Sequence, residues 1–288
     1  MKRDTTGAKR GSAALDAHYA SLWGERWPAL RSALLADAAS IEWSEGLSAP
    51  YALDPASALA ALALGRPRGE DCLDLCAAPG GKALVIASRM EDSRLTVNER
   101  SPDRFMRMKR VLEEHLAGDR LRAVSARRSD GASLCRVLPE SFDRILLDAP
   151  CSSERHVIAS REHAERWTPA RAKALPCAQG ARLSAAFIML RPGGRRVYST
   201  CSLNPAENEG VAARLLKKEK ERAAIVDARA LLTEELGTAP DPALASLKAA
   251  LDAAEDRNAG ILVMPDKEHR EGASGPGPMY IAVFERRE

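Results

Sequence analysis

From residue 71 onward the chain alternates short apolar runs with helix-forming stretches, and this alternation limits the fold more than any other feature. Residues 72–76, 95–98, 121–125 and 195–200 read as short strands, and 143–148 (Asp-Arg-Ile-Leu-Leu-Asp) as a buried one. Residues 82–90, 102–116 and 169–190 read as helices. Strand–helix–strand units build a mostly parallel sheet with helices on both faces, because each parallel pair needs a crossover that packs back on the sheet. The expected fold is therefore α/β and Rossmann-like. The strand over 195–200 is entered through a turn, Arg191-Pro192-Gly193-Gly194. After it, Asn204, Pro205 and Glu207 predict a capping box at the start of a helix.

The regions on either side are less regular. Helices are expected over 12–23 and 27–39, an irregular stretch over 41–55, and an Ala-rich helix over 56–64 ended by Gly65 and Pro67. Residues 1–55 form an N-terminal helical extension too small for its own core, so it packs on a main domain over 56–288. Residues 1–10 are polar and loose. Residues 226–257 read as helical, 261–264 and 279–284 as final strands, and 272–278 as a Gly/Pro-rich loop.

Composition excludes several classes. With 45% hydrophobic and 29% charged residues, the chain is too apolar for disorder. No apolar run approaches the roughly 18 residues of a membrane helix. No apolar segment follows the charged start Met1-Lys2-Arg3-Asp4, so no membrane association and a cytoplasmic location are expected. The net charge of +3 permits nucleic-acid binding without demanding it. Six cysteines occur with no C-x-x-C pair, so no metal site is expected. Cys72, Cys135 and Cys177 read as buried small hydrophobes.

Ligands of such sheets bind outside the carboxyl ends of the strands. The first strand runs into Cys76-Ala77-Ala78-Pro79-Gly80-Gly81-Lys82, a turn of small residues that lets a ligand approach the backbone. It matches neither a dinucleotide fingerprint nor a P-loop, because Cys76 and Ala83 stand at key positions. Glu99, at the second strand end, suits a pair of ribose hydroxyls or a helix N-terminus. Asp130, after the third, suits an adenine amino group or a turn. The fourth strand ends in Asp148-Ala149-Pro150-Cys151 and the fifth in Ser199-Thr200-Cys201. A thiol before a capped helix has a lowered pKa, and two thiols at adjacent strand ends point to nucleophilic chemistry. Residue chemistry leaves open which thiol attacks.

These segments together resemble a known family. LDLCAAPGGK (73–82), LLDAPCS (146–152), RPGG (191–194), YSTCS (198–202) and NPAENE (204–209) are similar, in order and spacing, to the Sun-type (RsmB/Nop/Sun) RNA cytosine C5-methyltransferases. The likeness covers roughly residues 56–217 and the last strand. It implies a class I S-adenosylmethionine (SAM)-dependent methyltransferase fold with a seven-stranded sheet. It further implies that Cys76–Lys82, Glu99, Arg104, Asp130 and Asp148 hold SAM, with Asp148 also near the reacting base. Cys201 would be the nucleophile and Cys151 would assist release. The implied partner is RNA, ribosomal RNA first, with tRNA or DNA as alternatives and a SAM- and RNA-binding assembly factor as a reading from another class. A monomer is expected, with residues 1–55 as a candidate RNA-target region. Arg155, His156, Arg161, His163, Arg166 and Arg171 either line the path of the RNA or form a solvated face.

Overall fold

The computed structural model describes residues 10–237, 242–267 and 275–288. Two helices, α1 (Ser12–Trp23) and α2 (Trp27–Leu35), lead to a two-stranded hairpin, β1 (Ile41–Trp43) and β2 (Tyr51–Leu53), and helix α3 (Pro55–Leu62). The alternating segment comprises β3 (Asp71–Asp74), α4 (Gly81–Arg89), β4 (Arg94–Asn98), α5 (Pro102–His115), α6 (Gly118–Arg122), β5 (Val124–Arg127) and β6 (Phe142–Asp148). Then come α7 (Glu154–Ala159), α8 (Arg161–Glu165), α9 (Pro169–Met189), β7 (Leu190–Thr200) and α10 (Glu209–Lys218). The chain ends with β8 (Ala223–Val226), α11 (Ala228–Leu236), α12 (Pro242–Asp252), β9 (Ala254–Arg257), β10 (Gly260–Val263) and β11 (Met279–Arg286).

The main sheet has the order β5-β4-β3-β6-β7-β11-β10-β9, with β8 also paired to β11. The five strands β5 to β7 are parallel, as the crossover pattern requires, and β11, β10, β9 and β8 are antiparallel. Strand residues alternate between two cores. Cys72, Leu146, Val197 and Ile281 face the side covered by α3, α4, α5 and α11. Leu73, Leu147, Tyr198 and Tyr280 face the side covered by α1, α2 and α9. Both faces are thus buried, which is why these strands are apolar throughout rather than alternating.

The α/β expectation stands, with nine strands in the main sheet rather than seven. Of the additional strands, β9 lies inside the stretch read as helical, where 254–257 turns back on β10, and β8 lies just before it, where 223–226 pairs with the distant β11. The stretch 41–55 is a hairpin rather than irregular chain, with Ile41 opposite Leu53 and Trp43 opposite Tyr51. Residues 191–194 are not a separate turn but belong to β7, at a register shift beside β6. The capping box is also not formed. Residues 204–208 make tight turns and α10 starts at Glu209, with no side-chain bond from its cap residue Asn208. Of the loose stretch expected over 1–10 only residue 10, and of the loop over 272–278 only 275–278, fall within the described residues, and 275–278 form no helix or strand.

α1 and α2 are integral to the second core, with Leu15, Tyr19, Leu30 and Leu34 fully buried. α3 is buried along almost its whole length. Leu59 sits at its centre with no exposed surface. Leu59→Ala is expected to lower unfolding free energy by about 2–5 kcal/mol, the cost of deleting a core leucine and leaving a cavity. Urea denaturation followed by circular dichroism checks this, and a loss below about 1 kcal/mol would contradict the packing described.

Candidate active site

Parallel strands place their carboxyl ends side by side, and four of them build the crevice. β3 lies between β4 and β6, and β6 pairs with β7 in a register that sets Asp148 beside Ser199. The turn after β3, Glu99 after β4, Asp148 at the end of β6 and Cys201 after β7 therefore converge.

The first part of the crevice, about 400 Å³, is lined by Cys76, Glu99, Arg104, Asp130, Gly131 and Pro150. Arg104 organises it. Its guanidinium donates to the Ala78 carbonyl at 2.6 Å and lies 3.2 Å from Glu99 Oε2. Glu99 is buried, and its Oε1 accepts from the Ser101 backbone N–H at 2.8 Å. Asp130 accepts from the Ala132 N–H and remains half exposed near Arg100. Asn98 ties the strand ends together by donating to the carbonyls of Leu75 and Ser129.

The second part lies over the turn itself, lined by Ala77, Ala78, Pro79, Gly81, Lys82 and Asp148 and roofed by Tyr51. A Cβ on Gly81 would stand 2.8 Å from the Tyr51 ring, so this glycine lets the front hairpin close on the crevice. Gly80 lies outside this lining. It precedes α4 with φ +122° and packs against Val111 of α5, so its role is to turn the chain. The residue that sequence reasoning missed is Asp74. It is fully buried at the crevice, neither carboxylate oxygen has a partner, and burial together with Asp148 pushes its pKa up to about 7. A lone acid in an apolar strand (Leu73-Asp74-Leu75) was the available signal.

The third part, about 520 Å³, is lined by Lys82, Asp148, Ser153, His156, Cys201 and Pro278, among others. Lys82 donates to Asp148 Oδ2 at 2.9 Å, and Ser199 donates to Oδ1 at 3.0 Å. Burial alone would lower the Lys82 pKa, but Asp148, with Cys201 and Asp74 beyond, outweighs it and holds the ammonium above its ordinary value. The sulfurs of Cys151 and Cys201 are 3.1 Å apart. Ser153 reaches both, at 3.4 and 3.2 Å, from a left-handed backbone conformation that is uncommon for serine. The Cys151 thiol donates to Cys201, which holds Cys201 below the ordinary thiol range despite burial. As the donor to Cys201, and buried, Cys151 is pushed well up, which the Ser153 hydroxyl offsets only in part. The pair is thus asymmetric, with negative charge favoured on Cys201.

The physical cause differs from the sequence expectation. Cys201 is not at a helix N-terminus, because α10 begins eight residues later. Its neighbour's S–H and the Ser153 hydroxyl take the place of a helix dipole. The basic residues after Cys151 also separate. Arg155 donates to the carbonyls of Ala36 and Gly277 and ties α7 to two other segments. Arg161 and Arg166 form exposed ion pairs one turn along their helix with Glu165 and Glu162. The His156 and His163 rings pack against each other at 4.7 Å, tilted by 42°. Among the described residues no group of His, Cys, Asp and Glu is arranged to hold a metal, and no helix is long and apolar enough to cross a membrane.

Comparison with known proteins gives the family. The sequence model of the family described as 16S rRNA methyltransferase RsmB/F matches residues 61–272. The chain belongs to this family. The match covers the strand ends that carry Asp74, Cys76–Lys82, Glu99, Asp130, Asp148, Cys151 and Cys201. A mitochondrial tRNA (cytosine(34)-C(5))-methyltransferase of Danio rerio is 38% identical over 168 residues, 58% of this chain and 46% of that protein. The 5-cytosine rRNA methyltransferase NSUN4 of Bos taurus is 38% identical over 175 residues, 58% of this chain and 45% of that protein. The chain spans about half the length of these curated relatives. A solved methyltransferase homologue from Pyrococcus horikoshii superposes over 94% of each chain with a TM-score of 0.64 at 22% identity, which shows the shared methyltransferase fold.

The thiol pair gives a direct prediction. Alkylation of Cys201 by iodoacetamide, resolved by peptide mass spectrometry across pH, should have its midpoint below that of an ordinary cysteine, about 8.5. Cys151→Ala removes the donor and should raise that midpoint, whereas Cys151→Ser keeps a donor and should hold it low. An unchanged midpoint in Cys151→Ala would contradict the contact.

Proposed function

We propose that this RsmB/F-family protein uses SAM to methylate C5 of cytosine in RNA, with ribosomal RNA as the substrate class. The observation that carries the reading is the Cys151–Cys201 pair, 3.1 Å apart beside the Lys82–Asp148 ion pair in an open crevice. The RsmB/F description and the rRNA and tRNA cytosine methyltransferases among the relatives support it.

The crevice residues fit SAM. Asp74 presents two unpartnered carboxylate oxygens, a natural seat for the ammonium of the methionine portion. The backbone of 76–82 leaves room for the rest of that portion. Glu99, held by Ser101 and Arg104, suits the ribose hydroxyls, and Asp130 suits the adenine amino group. When bound, SAM supplies a sulfonium methyl, the electrophile that an activated cytosine C5 takes up.

The chain's own residues do the activation. C5 of cytosine is a poor nucleophile. Addition of the Cys201 thiolate to C6 forms a C6–S bond and turns the ring into an enamine, moving the electron pair toward C5. Lys82 and Asp148 lie beside Cys201 and orient the base through its polar edge, Asp148 at N3 with a proton or a bridging water. Once C5 carries the methyl, loss of its proton to a base re-forms the ring double bond and breaks the C6–S bond. Cys201 leaves as thiolate, with Cys151 supporting this release. Reaching such a crevice requires the cytosine to leave its stack, which RNA loops and single strands allow readily. The part is played by a cytoplasmic monomer, with residues 1–55 contributing to target choice.

Cys201→Ala is expected to abolish methyl transfer, and Cys151→Ala to accumulate a covalent protein–RNA adduct seen as a slow-migrating band. Near-wild-type turnover by Cys201→Ala would overturn the assignment. Bisulfite sequencing of total RNA from cells with and without the gene should show one 5-methylcytosine lost from ribosomal RNA. Loss from a tRNA instead would move the substrate class.

A further inference from the structure

Beneath the two thiols lies a buried polar cluster that the reaction scheme does not use. Ser152 follows Cys151 and Ser202 follows Cys201, and their hydroxyls meet at 3.0 Å. Two fully buried carboxylates flank them. Glu154 Oε1 contacts Ser152 Oγ at 2.9 Å, Ser202 Oγ at 2.8 Å and the Tyr19 hydroxyl of α1. Glu207 Oε1 contacts the same two hydroxyls, Ser152 closely and Ser202 at 3.3 Å. Glu207 Oε2 accepts from the Ser152 N–H at 3.0 Å and from Gln179 at 2.9 Å, and Glu154 Oε2 accepts from the Leu203 N–H. Both cysteine loops are thus gripped from below by the same two acids.

The proton count does not close if both acids are ionised. Four serine–carboxylate contacts share two serine protons, because a hydroxyl donates only once. The Tyr19 proton is directed at Glu154. The groups facing the pair are Tyr19 and His18 on α1, Tyr198 on β7, and Cys151 and Cys201 on the loops. Among the described residues no Lys or Arg forms an ion pair with either carboxylate. Two adjacent carboxylates out of water and without a cation cannot both stay charged. Burial and the Glu207 charge act together to raise the Glu154 pKa.

We infer that Glu154 and Glu207 share a single proton and that this protonated pair is the clamp that holds the Cys151 and Cys201 loops together. The shared proton supplies the missing donor to a serine hydroxyl and leaves the pair with one negative charge. Glu154 and Glu207 are positioning residues. They act through Ser152 and Ser202 on the distance between the sulfurs, and through that distance on the charge of Cys201. Tyr19 extends the clamp to α1, so the front of the chain takes part in setting the thiol pair.

Glu154→Gln and Glu207→Gln each mimic the protonated state of one partner and keep the same net charge and shape. In infrared difference spectra at neutral pH, wild type minus either variant should show loss of the same carboxylic-acid C=O band, because the remaining partner then ionises. Asp74 contributes the same acid band to all three proteins and cancels in the difference. A difference spectrum with no lost acid band for either variant would overturn the shared proton. For the positioning role, the pH midpoint of Cys201 alkylation should stay at the wild-type value in Glu207→Gln. In Glu207→Leu it should rise by about one unit, slowing alkylation near neutral pH about tenfold, as the loops part and Cys151 withdraws its donor. A wild-type midpoint in a folded Glu207→Leu would overturn the clamp. If that variant does not fold, a midpoint in Glu207→Gln raised as far would overturn it equally. Neither readout involves methyl transfer, so a failure here would leave the proposed reaction untouched.

Discussion

The parallel pairing of β6 with β7 is the constraint on which the rest of this site depends. Its register puts Asp148 beside Ser199, and the two loops that follow carry Cys151 and Cys201 to 3.1 Å from one another. A slip of one residue would turn Asp148 and Ser199 to opposite faces and separate the thiols. The register is secured from both sides by strand residues that are fully buried, Leu146 and Val197 on one face and Leu147 and Tyr198 on the other. Below the loops, the serine and glutamate cluster and the Tyr198 hydroxyl, which donates to the Glu207 carbonyl at 2.5 Å, keep the two strand ends in place.

Charge beside the thiols is arranged around Lys82. Lys82 faces Asp148 directly, with Asp74, Asp54 and Cys201 nearby. The result is a lysine that keeps its proton, while Asp74 is only partly compensated. Because Asp74 takes up a proton on folding, with a pKa raised to about 7, it lowers stability as pH rises from the ordinary carboxylate range toward neutrality. A cationic group docked at Asp74 offsets that cost, which links ligand binding to stability. The crevice gives up some stability for an acid poised to meet a ligand.

Much of this was legible in the chain because it depends on local rules. The alternation of apolar runs and helices names the parallel sheet, and the residues after each run name the crevice. Glu99, Asp148, Cys151 and Cys201 could be named that way, and Arg104 through the resemblance. What was not legible depends on contacts that exist only once the chain has folded. β8 and β9 are short and become strands through contact with β11 and β10. Asn204 and Glu207 have the spacing of a helix cap, yet Glu207 is drawn instead to Ser152 and Gln179, which leaves the helix to start later. The lowered pKa of Cys201 was expected from a helix terminus and arises from a neighbouring thiol, so the direction was right and the cause was not. Ser153 and Tyr19 carry no sequence signal, since their roles exist only once the loops meet.

The central claim is that Cys201 attacks and Cys151 assists. The most direct measurement is peptide mapping by mass spectrometry of the wild-type protein trapped with an RNA whose target cytosine is replaced by 5-fluorocytosine or 5-azacytosine. The base is predicted on the peptide that contains Cys201. A base attached to Cys151 would contradict the account, because it would make the thiol held protonated by its neighbour the nucleophile.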